Sequence, residues 1–169
     1  MVACYKDSQV LVRYAQQMKI TKATKDDWKV IQQLNSQVFL NDEDHDDDLD
    51  LSWPFSEAGI KYYKNLADGS YGHCLIVCIE DEPVGYVALA IKDFGYRKSK
   101  YVEVENIGVC PEHRSKGIGE SLICASEEWA LKQGAKKLYV AAYWKNKKAI
   151  QFYKRNGFEE IGLELEKEL

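Results

Sequence analysis

The stretch from Tyr101 to Leu122 constrains this chain more than any other, because within it the backbone must pass from strand to turn to helix. Tyr101-Val102-Glu103-Val104-Glu105-Asn106-Ile107-Gly108-Val109 has the β-branched content and alternation of a strand. Cys110-Pro111-Glu112-His113 breaks it, and Arg114-Ser115-Lys116-Gly117-Ile118-Gly119 makes a glycine turn. Leu122, Ile123, Trp129 and Ala130 then follow in an amphipathic helix that Gly134 ends. A strand feeding a helix through such a turn fixes the helix's unpaired N–H groups, and the positive end of its dipole, beside a sheet. Such a place holds an anion.

The rest of the chain supplies the sheet. Met18 to Ala23 reads as a strand, and Thr24 caps a helix with Asp26 and Asp27 in its first turn. Trp28, Ile31, Leu34 and Val38 give that helix a buried face to about Phe39. The acidic run Asn41 to Asp50 is too self-repelling for a regular element. Ser56 caps a second helix that buries Ile60, Tyr63 and Leu66 and ends at Asp68-Gly69-Ser70. Cys74–Ile79 and Val84–Ile91 pair as a hairpin around a turn at Asp81-Glu82-Pro83. After the glycine-turn helix come a strand from Leu138 to Tyr143, a helix from Lys147 to Arg155 and an extended closing segment, Phe158 to Leu169. The order β-α-α-β-β-β-α-β-α-β predicts an α/β fold, a mixed central sheet flanked by helices.

With 169 residues, 46% of them hydrophobic and 30% charged, the chain suits one domain, residues 18–169. Residues 1–17 read as an N-terminal extension, with Val10, Leu11, Tyr14 and Ala15 on one helical face. Lys6, Asp7 and Arg13 interrupt any leader-like apolar run, and nowhere do the ~18 apolar residues of a membrane span occur. A net charge of −4 argues against nucleic-acid binding. The five cysteines, Cys4, Cys74, Cys78, Cys110 and Cys124, have no C-x-x-C spacing and read as reduced thiols of a cytoplasmic protein.

Three phosphate-binding patterns can be separated. G-x-G-x-x-G is absent, since Ser121 and Leu122 follow Gly119, and so is a P-loop. What stands here is Arg114-x-x-Gly117-x-Gly119 after a strand, with Asn146, Ala149, Phe152-Tyr153 and Asn156-Gly157-Phe158 downstream. The two motifs, in this order, resemble those of the GNAT N-acetyltransferase superfamily, and the likeness spans roughly residues 18–160. It implies a GNAT-like fold, acetyl-CoA as cosubstrate without a metal, and an amine acceptor, on a small cationic molecule or a protein. It also implies a strand that splays from its neighbour so that pantetheine lies between them. Backbone at Ile107, Gly108 and Val109, the turn Arg114-Ser115-Lys116-Gly117-Ile118-Gly119, and Asn146, Ala149, Phe152 and Tyr153 would hold that cosubstrate.

Chemistry assigns further roles within this resemblance. An alkyl amine with a pKa of ~10.4 is ~99.9% protonated at pH 7, so a base is useful. Glu105 is the first candidate and Glu103 the second; alternation puts both on one face with Ile107 and Val109. The bland reading of either is a cross-strand salt bridge. Tyr153 stands where relatives carry the acid that protonates the CoA thiolate; the alternative is a packing ring beside Phe152. Asn146 would bond pantetheine or cap the last helix, two compatible roles. His113 reads as a surface residue, and His45 lacks the spacing of a metal site. The acidic run borders the acceptor cleft in this fold and would attract cations; Trp53, Phe55, Tyr62 and Tyr63 line that cleft or pack. A non-catalytic acyl-CoA-binding module would need neither Tyr153 nor a strand carboxylate. Relatives that pair as dimers add a homodimer, with Glu159–Leu169 as an edge strand, to the expectations.

Overall fold

The computed structural model describes residues 17–169; the extension expected over residues 1–17 lies, but for Gln17, outside the described residues. The elements are β1 (Met18–Lys22), α1 (Trp28–Asp42), α2 (Glu57–Asp68), β2 (His73–Ile79), β3 (Glu82–Lys92), β4 (Tyr101–Val109), α3 (Ile118–Lys132), β5 (Lys137–Val140) and α4 (Lys147–Arg155). The five strands form one sheet in sequential order. β1 to β4 are antiparallel and β5 joins β4 in parallel, so the sheet is mixed, as expected.

Period-two alternation sorts the strands into two apolar faces. One face, with Leu75, Val77, Val87, Leu89, Val102 and Val104, packs on Ile118, Leu122 and Ile123 of α3. The other, with Cys74, Ile76, Tyr86 and Ala88, packs on Ile31 and Leu34 of α1 and Tyr63 and Leu66 of α2. A buried polar chain crosses this second layer. Tyr63 donates to Asn35 Oδ1, Asn35 Nδ2 donates to Tyr86 Oη at 2.6 Å, and Tyr86 donates to Asn106 Oδ1 at 2.9 Å. α1, α2, β3 and β4 are thereby joined through groups that would be costly to leave unpaired.

The structure corrects four local expectations. The β2–β3 turn is at Glu80 and Asp81, both at positive φ (52° and 64°), a two-residue turn whose twist matches the strands it joins. Pro83 lies inside β3 opposite Cys78, where the register slips, and a bulge tolerates the missing N–H. α1 runs on through Asn41 and Asp42 into the acidic run, where Arg114 Nη1 donates to Asn41 Oδ1 at 3.1 Å. β5 stops at Val140, three residues before the expected end. The segment after Arg155 is not a strand of the sheet: Ile161, Leu163 and Leu165 are exposed, and β5 offers an edge of only four residues. Cys74, Cys78, Cys110 and Cys124 are free thiols. No helix among the described residues is long and apolar enough to cross a membrane.

Candidate active site

The early end of β5 shapes the site. β4 pairs with β5 only from Tyr101↔Lys137 to Val104↔Val140. From Glu105 onward β4 keeps its partner β3 on one side and has none from β5 on the other. The register tells which backbone groups face that gap. The Cys110 N–H donates to Val84 O at 2.9 Å, so Val109 and Gly85 are a non-hydrogen-bonded pair. The N–H and C=O of Val109 therefore point away from β3, and those of Ile107, two residues back, do the same. Gly108 faces the other helix layer, where an added Cβ would sit 2.7 Å from Val38 Cγ2.

Glu105 sits at a bulge that the sequence does not announce. Ala88 pairs with Asn106 and Leu89 with Val104, leaving Glu105 as the extra residue. The bulge reverses the alternation. Val102 and Val104 before it, and Ile107 and Val109 after it, belong to the α3 face. Glu103 and Glu105 thus do not share a face with Ile107 and Val109 as expected; they lie on the α1–α2 face. There the two carboxylates differ. Glu103 Oε2 pairs with Lys92 Nζ at 2.8 Å, the cross-strand salt bridge considered above. Glu105 instead accepts from Tyr71 Oη at 2.7 Å on Oε1 and from Tyr62 Oη at 3.2 Å on Oε2. Burial and the Glu105 charge push the Tyr62 phenol well above its ordinary range. The hydrogen bond to Glu105 and burial push that of Tyr71 up to about 12. Phe39 and Trp53 stack beside them, with Tyr62 tilted against Trp53.

The glycine turn stands at the open end of β4. Ser115 (φ 61°) and Gly117 (φ 81°) are both left-handed, and Gly117 is the N-cap of α3. Left-handed residues within a turn gather backbone N–H groups into an anion-binding concavity. The basic side chains are used inside the turn: Arg114 Nε donates to Val109 O at 2.9 Å, and Lys116 Nζ donates to Glu112 O at 2.7 Å. Ile118 is buried in the core. Gly119 also has a packing role, since a Cβ there would lie 3.1 Å from two ring carbons of Phe152. It lets α4 approach α3. His113 is half-buried, not a surface residue.

On α4, Asn146 Oδ1 accepts from the Ala149 N–H at 3.0 Å, which makes Asn146 a helix cap. Tyr153 lies between Phe152 and Phe158, with ring centroids at 5.3 and 5.5 Å. Burial first, then the Asp42 carboxylate, push its phenol up to about 12. The acidic segment lies against this end of the molecule. Asp42 is within a long 3.5 Å contact of Asn146 Nδ2, and Asp47 is 3.6 Å from Lys145 Nζ. Burial leads in raising the Asp42 carboxyl, which Asn41, His45, Asn146 and Arg114 oppose. Among the described residues, no group of three or more His, Cys, Asp or Glu could hold a metal ion. Tyr71, Asn35, Asn106 and Asn41 belong to the site's framework and were not legible in the sequence; polar residues of a unique network follow no period.

The acetyltransferase (GNAT) family model matches residues 29–158. The chain belongs to the GNAT family. An uncharacterised N-acetyltransferase of Methanocaldococcus jannaschii is 35% identical over 100 residues, which are 59% of this chain and 44% of that protein. The thialysine N-epsilon-acetyltransferase of Bos taurus is 34% identical over 96 residues, 53% of this chain and 56% of that one. The matched regions thus span about half the length of these relatives. A solved aminoglycoside N-acetyltransferase in complex with CoA shares the fold at a TM-score of 0.71 and 20% identity, over 90% of this GNAT chain and 94% of that one.

Proposed function

We propose that this GNAT protein is an N-acetyltransferase that moves the acetyl group of acetyl-CoA to an amine by direct attack in a ternary complex. The observation that carries this reading is the gap left by β5, toward which Ile107 and Val109 turn their backbone polar groups. Pantetheine amides fit such an edge as an added strand would. The concavity at Ser115–Gly117, beside the N-terminus of α3, suits the pyrophosphate. CoA in the structural neighbour supports the same cosubstrate.

In this reading the Val109 N–H stabilises the oxyanion that forms on the acetyl carbonyl. Glu105 takes the ammonium proton, directly or through water, and leaves a lone pair for attack. Its position supports it over Glu103, whose carboxylate is bound to Lys92. Tyr153, from the opposite face of the sheet, donates to the departing thiolate. The aromatic residues around Glu105, with the acidic segment at the Asn146 end of the sheet, support a cationic acceptor. A module that only bound acyl-CoA would have no need of a carboxylate held by two hydroxyls at a bulge.

The test is thiol release from acetyl-CoA over a panel of n-butylamine, lysine, spermidine, kanamycin and a lysine-rich peptide. We expect turnover with at least one amine, abolished at least 100-fold by Glu105→Gln. Acetyl-CoA that binds but releases no thiol with any amine would turn the assignment toward a binding module.

A further inference from the structure

We infer that Tyr71, assisted by Tyr62, is a positioning residue that fixes the Glu105 carboxylate. The inference rests on the reading of Glu105 as base and names what holds it in place. The two hydroxyls approach different oxygens of the one carboxylate, at 2.7 and 3.2 Å, so its plane is held from both ends. They come from outside β4: Tyr62 from α2, and Tyr71 from the turn that follows Gly69. The rings brace one another, with centroids 5.5 Å apart and planes at 65°, and Tyr62 in turn leans on Tyr63 and Trp53. A residue extruded by a bulge has lost its place in the ladder and needs such support to keep one rotamer.

The test is a double-mutant cycle on kcat with the fastest amine of the panel, in the full chain: wild type, Tyr71→Phe, Glu105→Gln and the pair, with Tyr62→Phe as the second tyrosine variant. Tyr71 is 51% exposed, so its variant keeps the core intact. We expect Tyr71→Phe to lower kcat about tenfold, with KM for acetyl-CoA and melting temperature little changed, and to cost nothing further once Glu105 is replaced. A kcat unmoved in both tyrosine variants, or an equal loss in the Glu105→Gln background, overturns the inference. A kcat that survives Glu105→Gln alone overturns Glu105 as base, whatever the tyrosine variants do.

Discussion

At the scale of single residues, magnitudes narrow what Tyr153 can do. Its phenol, raised to about 12 by burial and by Asp42, is protonated through the whole neutral range, as a donor must be. A thiolate with a pKa of ~8.5 is a far weaker base, so full transfer from Tyr153 would be uphill by about 5 kcal/mol. The phenol therefore suits hydrogen bonding to the departing sulfur better than complete protonation of it. One charge-assisted hydrogen bond contributes about 1.5–3 kcal/mol. Tyr153→Phe should thus lower kcat by about 10- to 100-fold, with little change in KM for acetyl-CoA. The sign of the pH effect is also set: a donor fails only as pH rises through its own pKa. No descending limb below about pH 10 should be traceable to Tyr153, so the wild-type and Tyr153→Phe profiles should fall together there. A basic limb that disappears in the variant would show a much more acidic phenol.

At the scale of elements, two glycines two residues apart act on different things. Gly117 has φ 81°, where a Cβ costs about 1–2 kcal/mol, so Gly117→Ala should distort the anion-binding turn itself. Gly119 lies in ordinary helix, and its Cβ would press the Phe152 ring at 3.1 Å. Gly119→Ala should mainly strain the α3–α4 contact, at about 1–3 kcal/mol. Melting temperature and acetyl-CoA affinity, measured on both variants, separate the two effects. Gly117→Ala should weaken acetyl-CoA by about tenfold or more for a small loss of stability, and Gly119→Ala should show the larger loss of stability. The reverse pattern would exchange their roles. This division also shows where sequence reading reaches its limit. The strand Tyr101–Val109, the glycine turn and the Ser56 cap were legible because alternation, φ preference and capping are local. The bulge at Glu105 was not, since it depends on pairing with Ala88 and Leu89, and it reverses the face of every side chain beyond it. The short β5 and the unpaired tail were illegible for a related reason: an alternating apolar series says that a segment can pair, not that an edge awaits it. Of the candidate site, the backbone roles proposed for Ile107 and Val109 use no side chain, so the face reversal does not bear on them.

At the scale of the whole molecule, the acidic segment makes contacts that an isolated solvated loop would not. Its first residues finish α1 and meet Arg114 and Asn146, and Asp47 reaches Lys145 beyond β5. The negative charge of residues 42–50 is therefore held against the end of the sheet where acetyl-CoA and acceptor are proposed to meet. A dense patch of one sign raises the local concentration of cations, and exposed charges farther apart than about 10 Å are largely screened at 0.1 M salt. The same patch repels the cosubstrate phosphates, so the two ligands should respond to it in opposite ways. Replacing Asp44, Asp46, Asp47 and Asp48 together by Asn leaves Asp42 and its contacts in place. It should raise KM for spermidine by several-fold at low salt while KM for n-butylamine changes less than twofold. KM for acetyl-CoA should fall or stay constant. In 0.5 M NaCl, where the Debye length is only about 4 Å, the spermidine difference should shrink toward unity. Equal effects on spermidine and n-butylamine, or effects indifferent to salt, would mean that the segment shapes the cleft by packing and that its charge does not steer the acceptor.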